Sequence, residues 1–203
     1  MTILTTKEVL DLPKYSRINL INTISGPRSG NLIGTMNTDG LSNLAVFNTV
    51  THIGANPPYL GFIMRPLTVE RHTYENIKET GHFTINPINS AIIDQAHQTS
   101  AKYDGTTSEY AATGLTAVKY GDFPVSFVKE CRYGIGLSYQ EEQPIECNGT
   151  VLVIGKVEMI YLPEDGLSED YSINYEVLNS VAIGGLDTYY STKLLDRKAF
   201  ARP

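Results

Sequence analysis

A chain of 203 residues fits one domain, taken as residues 1–203 with a core over about 15–190, and can bury that core without metal or disulfide staples. Its 16 Lys and Arg against 22 Asp and Glu leave a net charge of −6, so no basic surface is available to displace counterions from a polyphosphate, which argues against nucleic acid as a partner. The opening MTILTTKEVLDLP has neither a cationic leader nor an apolar core, and no later apolar run approaches the ~18 residues that span a bilayer, so the expectation is a cytoplasmic protein with no membrane partner.

In chain order, RINLINTI before SGPRSG, LIGTMN before TDG, LAVFNTVTHI before GANPP, and YLGFIM read as β-rich runs between turn signals, an antiparallel meander. TVERHTYENIKETG predicts a helix, with Thr68 able to cap its start, Gly81 placed to end it, and Val69, Tyr74 and Ile77 sharing a face. HFTINPI returns to strand, Ser90 can cap a short helix over AIIDQAHQ, and residues 101 to 122 are polar and Gly-containing enough for a long surface excursion. PVSFVKECRYGIGLSY and TVLVIGKVEMIYL are the two longest predicted strands. In the second, Val151, Val153, Val157, Met159 and Tyr161 fall on one side and Lys156 and Glu158 on the other. The tail NYEVLNSVAIGGLDTYYSTKLLDRKAF predicts a short helix, a Gly-Gly turn and a final amphipathic segment. Six or more strands with two or three short helices favour a mostly antiparallel barrel over a parallel sheet.

Several chemistries find no support. Cys131 and Cys147 are neither a CxxC pair nor half of a zinc site and read as two buried thiols. His52, His72, His82 and His97 are not spaced to share a metal, so no metal site is expected. There is no GxSxG elbow, no Walker loop and no GxGxxG between strand and helix; the glycines of YGIGLS lie inside a predicted strand and mark a bulge or a close backbone approach. Without a protein-borne nucleophile or metal, an enzyme of this kind needs a cofactor. Asn43, Ala45, Phe47, Asn48 and Thr49 offer short polar groups beside an aromatic, which suits the edge and face of a flat heterocycle. Arg65, Arg71 and Thr73 bring cations, a hydroxyl and helix N–H groups together, which suits a phosphate. The plainer alternative makes Arg71 a solvated charge, Thr73 a helix filler and Asn48 a turn residue.

The chain resembles the flavin reductase-like proteins of the FMN-binding split-barrel fold. The resemblance rests on DGLSNLAVFNTVTHIGANPPYLGFIMRP, RHTYENIKETGHFTIN, AHQTSAKYDGTTSEYAATGLT, VLVIGKVEMIYL and VAIGGLDTYY, in that order, from about Tyr15 to Tyr190. It implies a mainly β fold, an antiparallel Greek-key split β-barrel with a few short peripheral helices, holding FMN in the groove of a homodimer. It also implies hydride transfer from NADH or NADPH to flavin in some members. By matching position, Asn43, Ala45, Val46, Phe47 and Asn48 would line the isoalloxazine, with Thr49 and Thr51 continuing that wall. Arg65, Arg71 and Thr73 would hold the phosphate, and Asn86, Thr99 and Ser100 would close the pocket. At least one of Asn48 and Thr49 is expected to hydrogen-bond the ring edge. Many relatives carry Pro-aromatic-Ser where this chain has Val46-Phe47-Asn48, and an Arg where it has Ala182. Two rival readings are an FMN-holding electron carrier served by a redox partner protein, without a nicotinamide site, and a cofactor-free ligand-binding barrel.

Overall fold

The computed structural model describes residues 1–202. Two helices lead it, α1 (Thr6–Asp11) and α2 (Lys14–Thr23). A capping box starts the first: the Thr5 hydroxyl accepts from Glu8 N, and the Glu8 carboxylate accepts from Thr5 N at 2.7 Å. The Thr-x-x-Glu spacing that signals it is present in the sequence, although no element was predicted there. The second helix replaces the strand predicted for RINLINTI. Among the described residues no strand pairs with this segment, and a helix satisfies its own backbone where a lone strand cannot. Neither helix buries a residue.

The remaining elements are β1 (Arg28–Ser29), β2 (Asn31–Met36), β3 (Ser42–Phe47), β4 (Thr51–Ala55), β5 (Pro58–Met64), α3 (His72–Thr80), β6 (His82–Pro87), α4 (Ile93–Gln98), α5 (Glu109–Thr113), β7 (Ala117–Val118), β8 (Phe127–Val128), β9 (Gly134–Ile145), β10 (Thr150–Tyr161), β11 (Val181–Gly184) and β12 (Thr188–Ser191). Seven strands form one antiparallel sheet in the order β3-β2-β6-β9-β10-β5-β4. β3 and β4 are consecutive in the chain yet stand at opposite edges, so residues 48–50 span the seam of a sheet that curls into a split barrel. A three-stranded sheet, β1-β11-β12, and the pair β7-β8 flank it.

Two apolar clusters hold these layers. One fills the barrel with Ile33, Phe62, Phe83, Ile85, Leu137 and Val153; the other joins β2 and β3 to α4, α5 and β11 through Leu32, Leu44, Ile92, Tyr110, Val128 and Ile183. Leu32 and Ile33 point to opposite faces and both are fully buried, so the sheet is covered on both sides there and its strand shows no apolar-polar alternation. Phe62 stacks edge-on with Phe47 at 5.0 Å and with Phe83 at 5.7 Å; burying each such side chain is worth ~1.5–3 kcal/mol.

Six further expectations change. The predicted helix begins at His72, not near Thr68, with Arg71 at its cap position and Val69 exposed outside it; Gly81, at φ 72°, ends it as expected. Asn89, not Ser90, makes the side-chain cap of the turn before α4. Residues 101–122 are more than a surface excursion, because Glu109, Tyr110 and Leu115 are buried under β3 by α5. PVSFVKECRYGIGLSY divides into β8 and β9 at a turn over Lys129–Tyr133, and its Gly136 admits the Phe123 ring so closely that a Cβ would lie 2.8 Å from it. In the tail the Gly-Gly turn joins β11 to β12, while the expected short helix and final amphipathic segment are replaced by turns and irregular chain. Cys131 is buried as expected, whereas Cys147 is exposed because it sits at the β9–β10 hairpin tip, and both are free.

Candidate functional site

Asn48 and Thr49 interrupt an apolar run because they bridge the seam. The β4–β5 register, Thr51 opposite Gly61, continues back to put Thr49 opposite Ile63. Thr49 Oγ1 accepts from Ile63 N and donates to Ile63 O, both at 3.1 Å, so one hydroxyl supplies the ladder bonds that the bent backbone no longer makes. Asn48 Nδ2 donates to the Gly185 carbonyl at 2.9 Å, tying the β11–β12 turn to the seam, and its own carbonyl accepts from Arg28 Nε at 3.0 Å. Both side chains therefore bond the protein's own backbone, and only Asn48 Oδ1 is left without a bond.

On the other side of β3 a buried polar cluster reaches α3. Asn43 Nδ2 donates to Thr73 Oγ1 at 3.1 Å and to Thr35 Oγ1 at 3.2 Å, and Asn76 Nδ2 also donates to Thr35 Oγ1. Asn43 and Thr73, which the sequence assigned to the ring and to the phosphate, here bond each other. Their bond fixes the first turn of α3 against β3. At that turn Arg71 Nη2 reaches the Pro66 carbonyl at 3.4 Å, while Arg71 Nε is buried with no hydrogen-bond partner. Neither Arg71 nor the exposed Arg65 is in an ion pair among the described residues. His72 Nε2 is likewise buried without a hydrogen bond, approaching Glu70 only at 3.4 Å and out of alignment. The loop after α4 lies over it, since a Cβ on Gly105 would be 3.3 Å from His72 Nε2.

β3 is an edge strand, and its open edge carries backbone groups. Leu44 N points outward, donating to Glu109 Oε2 at 2.9 Å. Because ladder groups alternate, the Val46 N–H points outward too, with no strand beyond it. Ala45 pairs with Ile33 inside the ladder; Val46 and Phe47 pack their side chains against the two apolar clusters; Thr51 is exposed on β4. Asn86 is fully buried: Nδ2 donates to Leu32 O and Thr84 Oγ1, and Oδ1 accepts from Val128 N at 3.0 Å. Thr99 is buried with its hydroxyl turned back to the Ala96 carbonyl, and Ser100 is exposed beside it at the end of α4. Asn43, Arg71 and Thr73 are therefore gathered at one place and Asn48 and Thr49 at another along β3, while Asn86 belongs to the core.

Two participants were not foreseen. Arg28 touches the seam from the SGPRSG turn, outside every stretch that carries the family resemblance, and nothing local in the sequence marks it as part of a site. Glu109 sits 6% exposed on β3's edge, where burial raises its carboxyl above the ordinary range against the opposing pull of Leu44 N–H. Among the described residues no three His, Cys, Asp or Glu gather as a metal site, and no helix is long and apolar enough to cross a membrane.

Residues 27–179 match the model of the flavin reductase like domain family. A split-barrel protein of Shewanella frigidimarina NCIMB 400, assigned as a flavin reductase, is 42% identical, with 99% of this chain and all of that one covered at a TM-score of 0.95. The fold also matches nitrilotriacetate monooxygenase component B of Bacillus cereus, 19% identical with 98% of each chain covered at TM-score 0.84. Flavoredoxin of Desulfovibrio vulgaris is 23% identical, with 86% of this chain and 92% of that one covered at TM-score 0.74. Family match and architecture agree, and the chain belongs to the flavin reductase like domain family of split-barrel proteins.

Proposed function

We propose that the chain is an FMN-dependent oxidoreductase that takes hydride from NADH or NADPH. The observation that carries this reading is the buried, unpartnered Nε of Arg71 at the start of α3, fixed against the open edge of β3 through the Asn43–Thr73 bond. A phosphate there meets a guanidinium nitrogen and the first-turn amides of a nine-residue helix, with Arg65 close by in sequence. The outward N–H of Val46 is a donor on β3 that no protein group claims, which fits the polar edge of a flavin ring. FMN, when bound, supplies the hydride-accepting ring. The chain's part is to orient the ring, to hold its phosphate and to present a donor where negative charge develops. No side chain here is required to carry a proton.

A homodimer completes the reading. α1 and α2 bury nothing, and Leu10, Tyr15 and Ile21 on them and Ile3, Leu4 and Ile24 beside them are all exposed, an apolar surface that a C2 partner would cover. An FMN-holding electron carrier is the second reading. It is favoured by the cavity beside the seam, whose wall has no Lys or Arg to hold a dinucleotide pyrophosphate.

The visible spectrum of the purified protein with added FMN, before and after NADH or NADPH under anaerobic conditions, tests these together. A perturbed flavin spectrum that bleaches with NADH or NADPH supports the reductase. A perturbed spectrum that only dithionite bleaches supports the carrier, and an unperturbed spectrum overturns both. Light scattering at micromolar concentration tests the dimer, which an FMN-retaining monomer of 22.4 kDa would contradict.

A further inference from the structure

A cavity of about 680 Å³ opens beside the seam, between Val50 and His52 on one side and Val181 and Ala182 of β11 on the other. That volume is ordinary for a small-molecule site. Leu60, Ile85, Ile135 and Val157 make its wall apolar, and no Lys, Arg, Asp or Glu lines it. Six hydroxyl-bearing residues line it, and of these only Tyr133 and Ser180 are buried. Ser180 is 7% exposed and its Oγ is buried with no hydrogen-bond partner. Tyr133, 9% exposed, stands beside it without closing a hydrogen bond to Ser180 Oγ. Burial pushes the Tyr133 phenol far above its ordinary range, so it is a neutral O–H donor throughout the physiological pH range. Buried hydroxyls are almost always paired, and one left open in a cavity wall is a vacancy for a ligand oxygen. A charged ligand would lose its hydration there with no counter-charge to replace it.

We propose that this cavity binds a neutral aromatic carbonyl compound, its ring against the apolar wall and its oxygen accepting from Tyr133 and Ser180. The placement next to the seam makes this compound a partner for the flavin, and in that respect the proposal rests on the FMN reading. Binding itself does not. The cavity is formed by the chain alone, so its occupation is measured with and without FMN.

Calorimetric titration of the full chain with acetophenone, benzoate and toluene, in the absence of FMN and at saturating FMN, gives the test. Acetophenone is expected to bind under both conditions, about tenfold or more tighter than benzoate and about three- to tenfold tighter than toluene, the margin of one or two neutral hydrogen bonds. Ser180→Ala combined with Tyr133→Phe should reduce acetophenone to the toluene level and leave toluene and FMN affinity unchanged. Thermal melting checks that this variant folds, and Ser180→Ala alone, which removes an unpartnered group, gives the same comparison at half strength. Benzoate binding as tightly as acetophenone, or an acetophenone margin that survives the double substitution, overturns the proposal. So does failure of both neutral probes to bind, as happens if a second copy fills the cavity. Acetophenone binding in a chain that takes no FMN leaves this site standing and removes the FMN reading instead.

Discussion

The seam of the barrel and the start of α3 are both short polar interruptions of apolar sequence, and they differ in what their polar atoms do. At the seam, Thr49 and Asn48 bond Ile63 and Gly185, so their chemistry is used up inside the chain. At α3, Arg71 Nε and His72 Nε2 are buried with no hydrogen bond. A polar residue in an apolar run is therefore weak evidence for a ligand by itself. The open donor is the informative one, because an unpaired buried polar group is costly and persists where something else satisfies it.

The comparison is broken most directly in the core, where a residue expected at the pocket should behave as pure structure. Asn86→Ala deletes three hydrogen bonds and leaves Val128 N unpaired in the interior. The expected loss is ~3 kcal/mol of unfolding free energy, with FMN affinity of the folded fraction unchanged. Denaturant titration and FMN titration read the two quantities separately. Thr49→Val comes next. It leaves both Ile63 backbone groups without their partner, so ~2 kcal/mol and a melting temperature lower by about 4–8 °C are expected, again without selective loss of FMN. A Thr49→Val variant that melts like the parent but binds FMN poorly would return that hydroxyl to the ligand.

The open end of the comparison predicts the reverse pattern. Arg71→Ala removes a half-buried cation whose side chain makes one long bond, to the Pro66 carbonyl, and leaves its Nε unpartnered, so stability should stay within about 0.5 kcal/mol. FMN should weaken by roughly ten- to a hundredfold, the worth of one charge-assisted contact, and riboflavin should hardly change. Asn48→Ala falls between the two regions. Losing the Gly185 bond should cost ~1 kcal/mol of stability, and any additional fall in FMN affinity measures what the free Oδ1 gives the ring.

What the sequence made legible follows the range of the interaction. β2, β5, β6 and β10 and the Gly81 end of α3 are written in local pattern and were read correctly. RINLINTI was misread because its isoleucines favour strand only if a neighbouring strand exists, and pairing is not a local property. LAVFNTVTHI read as one strand because nothing in it says that its halves belong to opposite sheet edges. The same limit applies to the site. Residue types showed where polar chemistry lies, but Asn48 and Gly185 are 137 positions apart, so the sequence could not show that this amide was already bonded. Asn43 and Thr73, 30 apart, were assigned to the ring and to the phosphate, and nothing local in the sequence shows that they bond each other.

The smallest effect isolates Glu109, the acid that engages the edge of β3 next to the outward N–H of Val46. Desolvation raises its folded pKa above the unfolded value, with the Leu44 N–H bond and the nearby His72 acting in the opposite direction. A carboxyl raised in this way binds its proton more tightly when folded. Between the unfolded and folded values the native state therefore holds more protons, and stability falls as pH rises through that interval. Below the interval both states are protonated and the penalty of a buried charge is absent; above it the penalty is complete. Glu109→Gln keeps an acceptor for Leu44 N and cannot ionise. It should flatten this part of the stability profile, gaining on the parent as pH rises from the unfolded carboxylate range towards neutrality and leaving FMN affinity at neutral pH little changed. Melting temperatures of both proteins in steps from pH 4 to 7.5 test it. Parallel curves would mean that Glu109 titrates alike in the folded and unfolded chains, and that the open edge of β3 is solvated more fully than its burial indicates.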